Sequence, residues 1–183
     1  MRKGKKNDLY FLVEISLFSA LICVCSFVSI PLIIPITLQL FGVYLALFTL
    51  GGRRGLFCVL LYIFIGAIGL PVFSGFSGGI SRLFDVTGGY IFGFILLSLI
   101  YLCFSSVLPK RRIFTALSSG LSLISLYLTG SMWYAFVYLD GFESFTHVLL
   151  VSVLPFIIPD VIKIFMAYII SKRISVMTKN SID

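Results

Sequence analysis

Apolar residues in this chain fall into long runs separated by short stretches of Gly, Pro and charge. The runs cover 9–30, 36–50, 55–72, 88–108, 113–138 and 147–171. That punctuation predicts six membrane-crossing helices, because a spanning helix needs about 20 mostly apolar residues. The second run is short for this, and it follows Pro31 and Pro35. It is therefore expected to be tilted, or preceded by a re-entrant turn buried against protein. The first run follows Arg2-Lys3-Gly4-Lys5-Lys6, as in a signal peptide. It is nevertheless long enough to span, and no small-residue cleavage site ends it, so a retained first helix is expected.

Composition supports this reading. The chain is 60% hydrophobic and 11% charged, with mean hydropathy +1.13, whereas soluble domains average about 25% charged residues. The expected fold class is an all-α integral membrane protein, with residues 1–183 forming one transmembrane domain. Residues 1–8 are its basic N-terminus and 174–183 a short polar tail.

The basic residues supply an orientation. Arg2, Lys3, Lys5 and Lys6 precede the first run, and Arg53 and Arg54 join the second to the third. Lys110, Arg111 and Arg112 join the fourth to the fifth, while Lys172, Arg173 and Lys179 follow the sixth. With six spans, twelve of the fourteen basic residues lie on one side, leaving Arg82 in an opposite loop and Lys163 within a span. The positive-inside rule then makes both termini cytoplasmic. The expected location of this multi-pass chain is the plasma membrane. The net charge of +7 reports topology, because a nucleic-acid site would need basic residues interleaved with aromatics on an exposed domain.

The strongest chemical signal is Pro159-Asp160-Val161-Ile162-Lys163, inside the last apolar run. A lone charge at mid-membrane costs about 2.5–3.5 kcal/mol on insertion scales. Opposite charges three apart share a helix face, so they can offset each other and also share a ligand. A structural ion pair and a proton relay remain open for the same residues. Pro159 and Pro155 should each free a carbonyl one turn back, at Pro155 and Val151.

The segment 71–90 carries Gly75, Gly78, Gly79, Gly88 and Gly89, with Phe73, Phe76, Phe84 and Tyr90 among them. Its length and aromatic content suggest a lid, with backbone able to approach a ligand at the glycines. A flexible outer loop is the plainer reading. Thr87 suits a helix N-cap whose free N–H groups could take an anion. Arg82 and Asp85 would pair on the surface by default, or Arg82 would hold a ligand carboxylate. Gln39 is either interhelical glue or a donor to a ligand carbonyl.

Other residues carry less. Ser16 with Ala20, and Ser19 with Cys23, are small residues four apart that permit close helix approach, and Glu14 reads as a solvated or snorkelling charge. Cys23, Cys25, Cys58 and Cys103 read as small buried apolar residues, and His147 is the only histidine. No metal-ligand spacing, Ser/His/Asp set, HExxH or Walker loop is present, so neither a cofactor nor intrinsic ATP hydrolysis is expected.

Several segments together resemble the biotin-specific substrate-capture subunit (BioY family) of energy-coupling factor (ECF) transporters. They are Pro35-Ile36-Thr37-Leu38-Gln39, Gly52-Arg53-Arg54-Gly55, the run from Leu61-Tyr62 through Gly66 and Pro71 to Phe73, Thr87-Gly88-Gly89-Tyr90, and Pro159-Asp160 with Lys163. The resemblance spans nearly the whole chain. It implies a six-helix S component that captures biotin outside and joins a transmembrane coupling subunit driven by two ATPases. It also implies that Asp160 and Lys163 contact the ligand. The expected substrate-binding set is Asp160, Lys163, Gln39, Arg82, Gly79, Thr87, Gly88 and Tyr90, and the expected docking surface is Ser16 with Ala20. Family members often have alanines at the two docking positions, and commonly Gly-Pro where this chain has Asp85-Val86. The alternatives are an autonomous proton-coupled carrier using Asp160, and a structural protein with a buried ion pair. A carrier built on inverted repeats would show symmetric halves, and none is visible.

Overall fold

The computed structural model describes residues 2–32, 34–109, 111–139, 148–150 and 153–180. Lys110, His147, Val151 and the C-terminal residues 181–183 lie outside them. Within this range each predicted apolar run contains a helix: α1 (Arg2–Phe27), α2 (Gln39–Leu50), α3 (Gly52–Ala67), a short α4 (Ile80–Leu83), α5 (Gly88–Val107), α6 (Arg112–Tyr138) and α7 (Leu154–Asn180). Four of these are long and apolar enough to cross a membrane, over Asp8–Phe27, Gly88–Val107, Arg112–Tyr138 and Leu154–Ser175. The outward faces of the bundle are greasy, with Leu17 on α1, Phe64 on α3 and Phe165 on α7 each more than 60% exposed. Such surface is stable only against lipid or another apolar partner.

The short second run resolves into two parts. Pro31 and Pro35 stop helical continuation, and Ser29–Ile30 (β1) pairs antiparallel with Ile36–Thr37 (β2), Ser29 opposite Thr37. Helix α2 starts only at Gln39 and is 12 residues long, about 18 Å at 1.5 Å per residue. It is the centre of the fold, with Leu40, Val43, Tyr44, Leu45, Ala46 and Leu47 all buried. Tyr44 carries its hydroxyl across to α6, donating to the Ser119 carbonyl at 2.8 Å beside Ser122 Oγ.

Helix α7 packs on α2, while α5 packs along α6. The α5–α6 seam is close because glycines sit under aromatic rings: Gly89 meets Trp133, and Gly130 meets Tyr90. Helix α6 also carries buried serines. Ser118, Ser119, Ser122 and Ser125 donate to carbonyls three or four residues earlier, which satisfies each hydroxyl inside the helix. Ser19 bridges α1 to α3 by donating to the Ile15 and Cys58 carbonyls.

Three expectations need correcting. Glu14 is not simply solvated but pairs with Arg54 at 2.5 Å across α1 and α3. Cys103 is exposed, whereas Cys23, Cys25 and Cys58 are buried. Pro155 lies in the first turn of α7, where its missing N–H breaks no helical bond. Only Pro159 interrupts the helix interior.

Candidate functional site

One cavity gathers residues from five parts of the fold: the stretch before α2, the segment after α3, the start of α5, the far half of α6 and the Asp160 turn of α7. Its volume is about 70 Å³, so the site is narrow.

At its polar end, Asp160 is 4% exposed and is held from two directions. Lys163 Nζ donates to Oδ1 at 2.7 Å, one turn along α7. Tyr127 on α6 donates its hydroxyl to Oδ2 at 2.8 Å. The lysine side chain is only 12% exposed, so the pair is largely removed from solvent. Ion pairs at this depth persist when hydrogen bonds satisfy the remaining lone pairs, which is the part Tyr127 plays. Each carboxylate oxygen still has accepting capacity toward the cavity.

A second polar cluster lies at the entrance to α2. Thr37 Oγ1 donates to Gln39 Oε1 at 2.8 Å, and Gln39 Nε2 donates to the Tyr62 hydroxyl. Gln39 is buried, and both glue and cavity wall describe it. Phe73, Tyr90, Phe94 and Phe156 line the same cavity.

Residues 69–87 form a fixed cap rather than a loose connection. Phe73 N–H donates to the Ser77 carbonyl, and Gly79 N–H donates to the Gly66 carbonyl, both at 2.8 Å. Gly79 takes φ +97°, a conformation that side chains disfavour, as α4 begins. The cap is tied to α6 by Trp133 Nε1 donating to the Asp85 carbonyl and by the Tyr138 hydroxyl donating to the Phe84 carbonyl. Phe73 reaches the cavity because its ring lies on Gly66, where an added Cβ would come within 2.1 Å of it.

Of the residues singled out from sequence, Asp160, Lys163, Gln39, Thr87 and Tyr90 line this cavity. Arg82, Gly79 and Gly88 do not. Arg82 pairs with Asp85 at 2.7 Å with both side chains well exposed, and Gly88 spends its N–H on the Asp85 carbonyl. Thr87 does occupy the N-cap position of α5, without a side-chain capping bond. Tyr127 was missed, because one tyrosine among nine carries no signal until α6 and α7 are placed together. Among the described residues, no three His, Cys, Asp or Glu side chains converge as a metal site would require. Ser16 and Ala20 both lie exposed on α1.

Over 161 residues the chain is 38% identical to a probable biotin transporter BioY of Pyrococcus horikoshii, covering 87% of this chain and 93% of that one. It is 34% identical to the biotin transporter BioY of Thermotoga maritima, covering 89% and 94%. Its fold matches a crystal structure of the S-component for biotin from an ECF-type ABC transporter, with TM-score 0.80 over 96% of this chain and 94% of that one, at 24% identity. The model of the BioY family matches residues 2–180. With the match running through every helix described above, the chain belongs to the BioY family.

Proposed function

We propose that the chain captures biotin as the substrate-binding S component of an ECF-type ABC transporter in the plasma membrane. The observation that carries this reading is the Asp160 carboxylate, braced by Lys163 and Tyr127 at one end of an aromatic-walled cavity. Biotin presents two ureido N–H donors, a ureido carbonyl, an apolar thioether ring and a carboxylate. Asp160 accepts from the N–H groups, Lys163 or Gln39 donates to a carbonyl, and the aromatic rings cover the bicycle. A few convergent polar groups in apolar walls are what small-ligand recognition needs. The proton-coupled carrier is the weaker reading, since the relatives are named as biotin transporters.

Titration of the purified protein with biotin tests this proposal. One-to-one binding is expected, and Tyr127→Phe should weaken it about tenfold, since a hydrogen bond to a charged group contributes about 1.5 kcal/mol or more. Unchanged or tighter binding by a stably folded Tyr127→Phe protein would show that the tyrosine competes with the ligand instead of orienting the carboxylate.

The topology proposed is a single membrane domain of six crossings with both termini in the cytoplasm. Its support is that Gly52, Arg111, Arg112 and Lys172 gather at one end of the bundle, whereas Thr87, Asp160 and the 69–87 cap belong to the other. In a background freed of its four native cysteines, Arg111→Cys should be protected from an impermeant thiol reagent added outside, and Ser77→Cys should react. The reverse pattern sinks the orientation.

A further inference from the structure

Helices α2 and α5 end, α3 and α6 begin, and α7 passes, around a second cavity of about 640 Å³ at the opposite end of the bundle from Asp160. Arg111, Arg112 and Lys172 line it. Among the described residues, no carboxylate forms a salt bridge with any of the three. Hydroxyl-bearing residues line it too, and one of them, Thr49, has a buried Oγ1 without a hydrogen-bond partner among the described residues. This cavity is cationic and polar.

It does not end there. Through Phe48, Arg112, Thr115 and Tyr168 it adjoins a groove of about 400 Å³ between α6 and α7. Leu123, Val161, Ile164 and Phe165 wall the groove. Gly120, on its α6 side, has no neighbouring atom within 4 Å of where a Cβ would stand. The groove persists because α7 packs on α2, and α6 on α5. Lys172 Nζ lies over the Tyr168 ring, 4.9 Å from its centroid, but none of the three has a counter-anion among the described residues. A soluble anion would use only the cationic part, and an apolar partner helix would leave three cations without a counter-charge. Cations without a carboxylate partner, joined to an apolar slot, match one ligand chemistry, a phosphate headgroup linked to acyl chains.

We infer that this composite site holds an anionic phospholipid, its phosphate between Arg111, Arg112 and Lys172 and one acyl chain along the α6–α7 groove. The lipid completes a helix contact that the protein leaves open. The test is native mass spectrometry of the full chain in detergent, titrated with phosphatidylglycerol or phosphatidylcholine. The first adduct should favour phosphatidylglycerol about tenfold or more. Arg112→Gln should cut that preference about fivefold, as expected for one charge near an anionic headgroup. Gly120→Leu should weaken lipid retention while leaving the charges untouched. Arg53→Gln, at the same end but not lining the cavity, should change nothing. Equal retention of both lipids overturns the inference, as does an Arg53→Gln loss equal to that of Arg112→Gln, which would indicate diffuse surface charge. Displacement of the lipid by an equal concentration of glycerol 3-phosphate would make this a soluble-anion site, and retention of neither lipid would leave the groove to a protein helix.

Discussion

Reconstituted into vesicles by itself, the chain is expected to bind biotin but not to concentrate it, whatever proton gradient is imposed. The proposed function assigns ATP-driven accumulation to partner subunits, and it agrees with a sequence that carries no Walker loop. Adding a transmembrane coupling subunit and two ATPases should turn accumulation on from essentially nothing, and only with ATP. The proposed contact is the outward face of α1, where Ser16 and Ala20 are exposed one turn apart. Small residues there allow a partner helix to approach closely, and a bulky one holds it away. Ala20→Trp should therefore abolish or sharply reduce ATP-driven uptake while biotin binding to the isolated chain stays unchanged. If the chain alone concentrates biotin under a proton gradient, the carrier reading replaces this one.

The second large effect is expected at the pair. Asp160→Asn removes the proposed charged acceptor for the ureido N–H groups and strands Lys163, whose side chain is 12% exposed. Lys163→Met strands Asp160, which then keeps, among the described residues, only the Tyr127 hydroxyl as a partner. Breaking one partner of a buried pair costs about 3–5 kcal/mol in soluble proteins. Taken wholly from binding, that is roughly two to three and a half powers of ten in affinity. Part of the cost appears as lost stability, so thermal unfolding has to be followed alongside biotin titration. A single variant that keeps both its stability and its affinity would remove that residue from the site.

Asp160 and Lys163 were legible in the sequence because charges inside an apolar run are costly wherever the helix packs. The helices were legible for a related reason, as long apolar runs have few alternatives. What the sequence did not carry is what depends on two elements meeting. Tyr127 becomes a partner of Asp160 only when α6 lies beside α7. The chain of bonds from Thr37 through Gln39 to Tyr62 likewise needs α2 against α3. Arg82 was open between a surface pair and a ligand contact, since its spacing from Asp85 fits both, and the exposed 2.7 Å pair is what forms. The β1–β2 ribbon escaped because two-residue strands have no periodicity to detect. Pro155 was misjudged for want of the helix start, which decides whether a proline costs a hydrogen bond.

The most direct test of the central claim is biotin titration of the folded double variant Asp160→Asn with Lys163→Met. Removing both charges together leaves neither stranded, so stability should recover toward that of the parent protein. If the pair is the biotin site, this well-folded protein should still show no measurable biotin binding. Near-parental affinity in the same protein would contradict the account, reducing Asp160 and Lys163 to a structural ion pair and placing the ligand elsewhere.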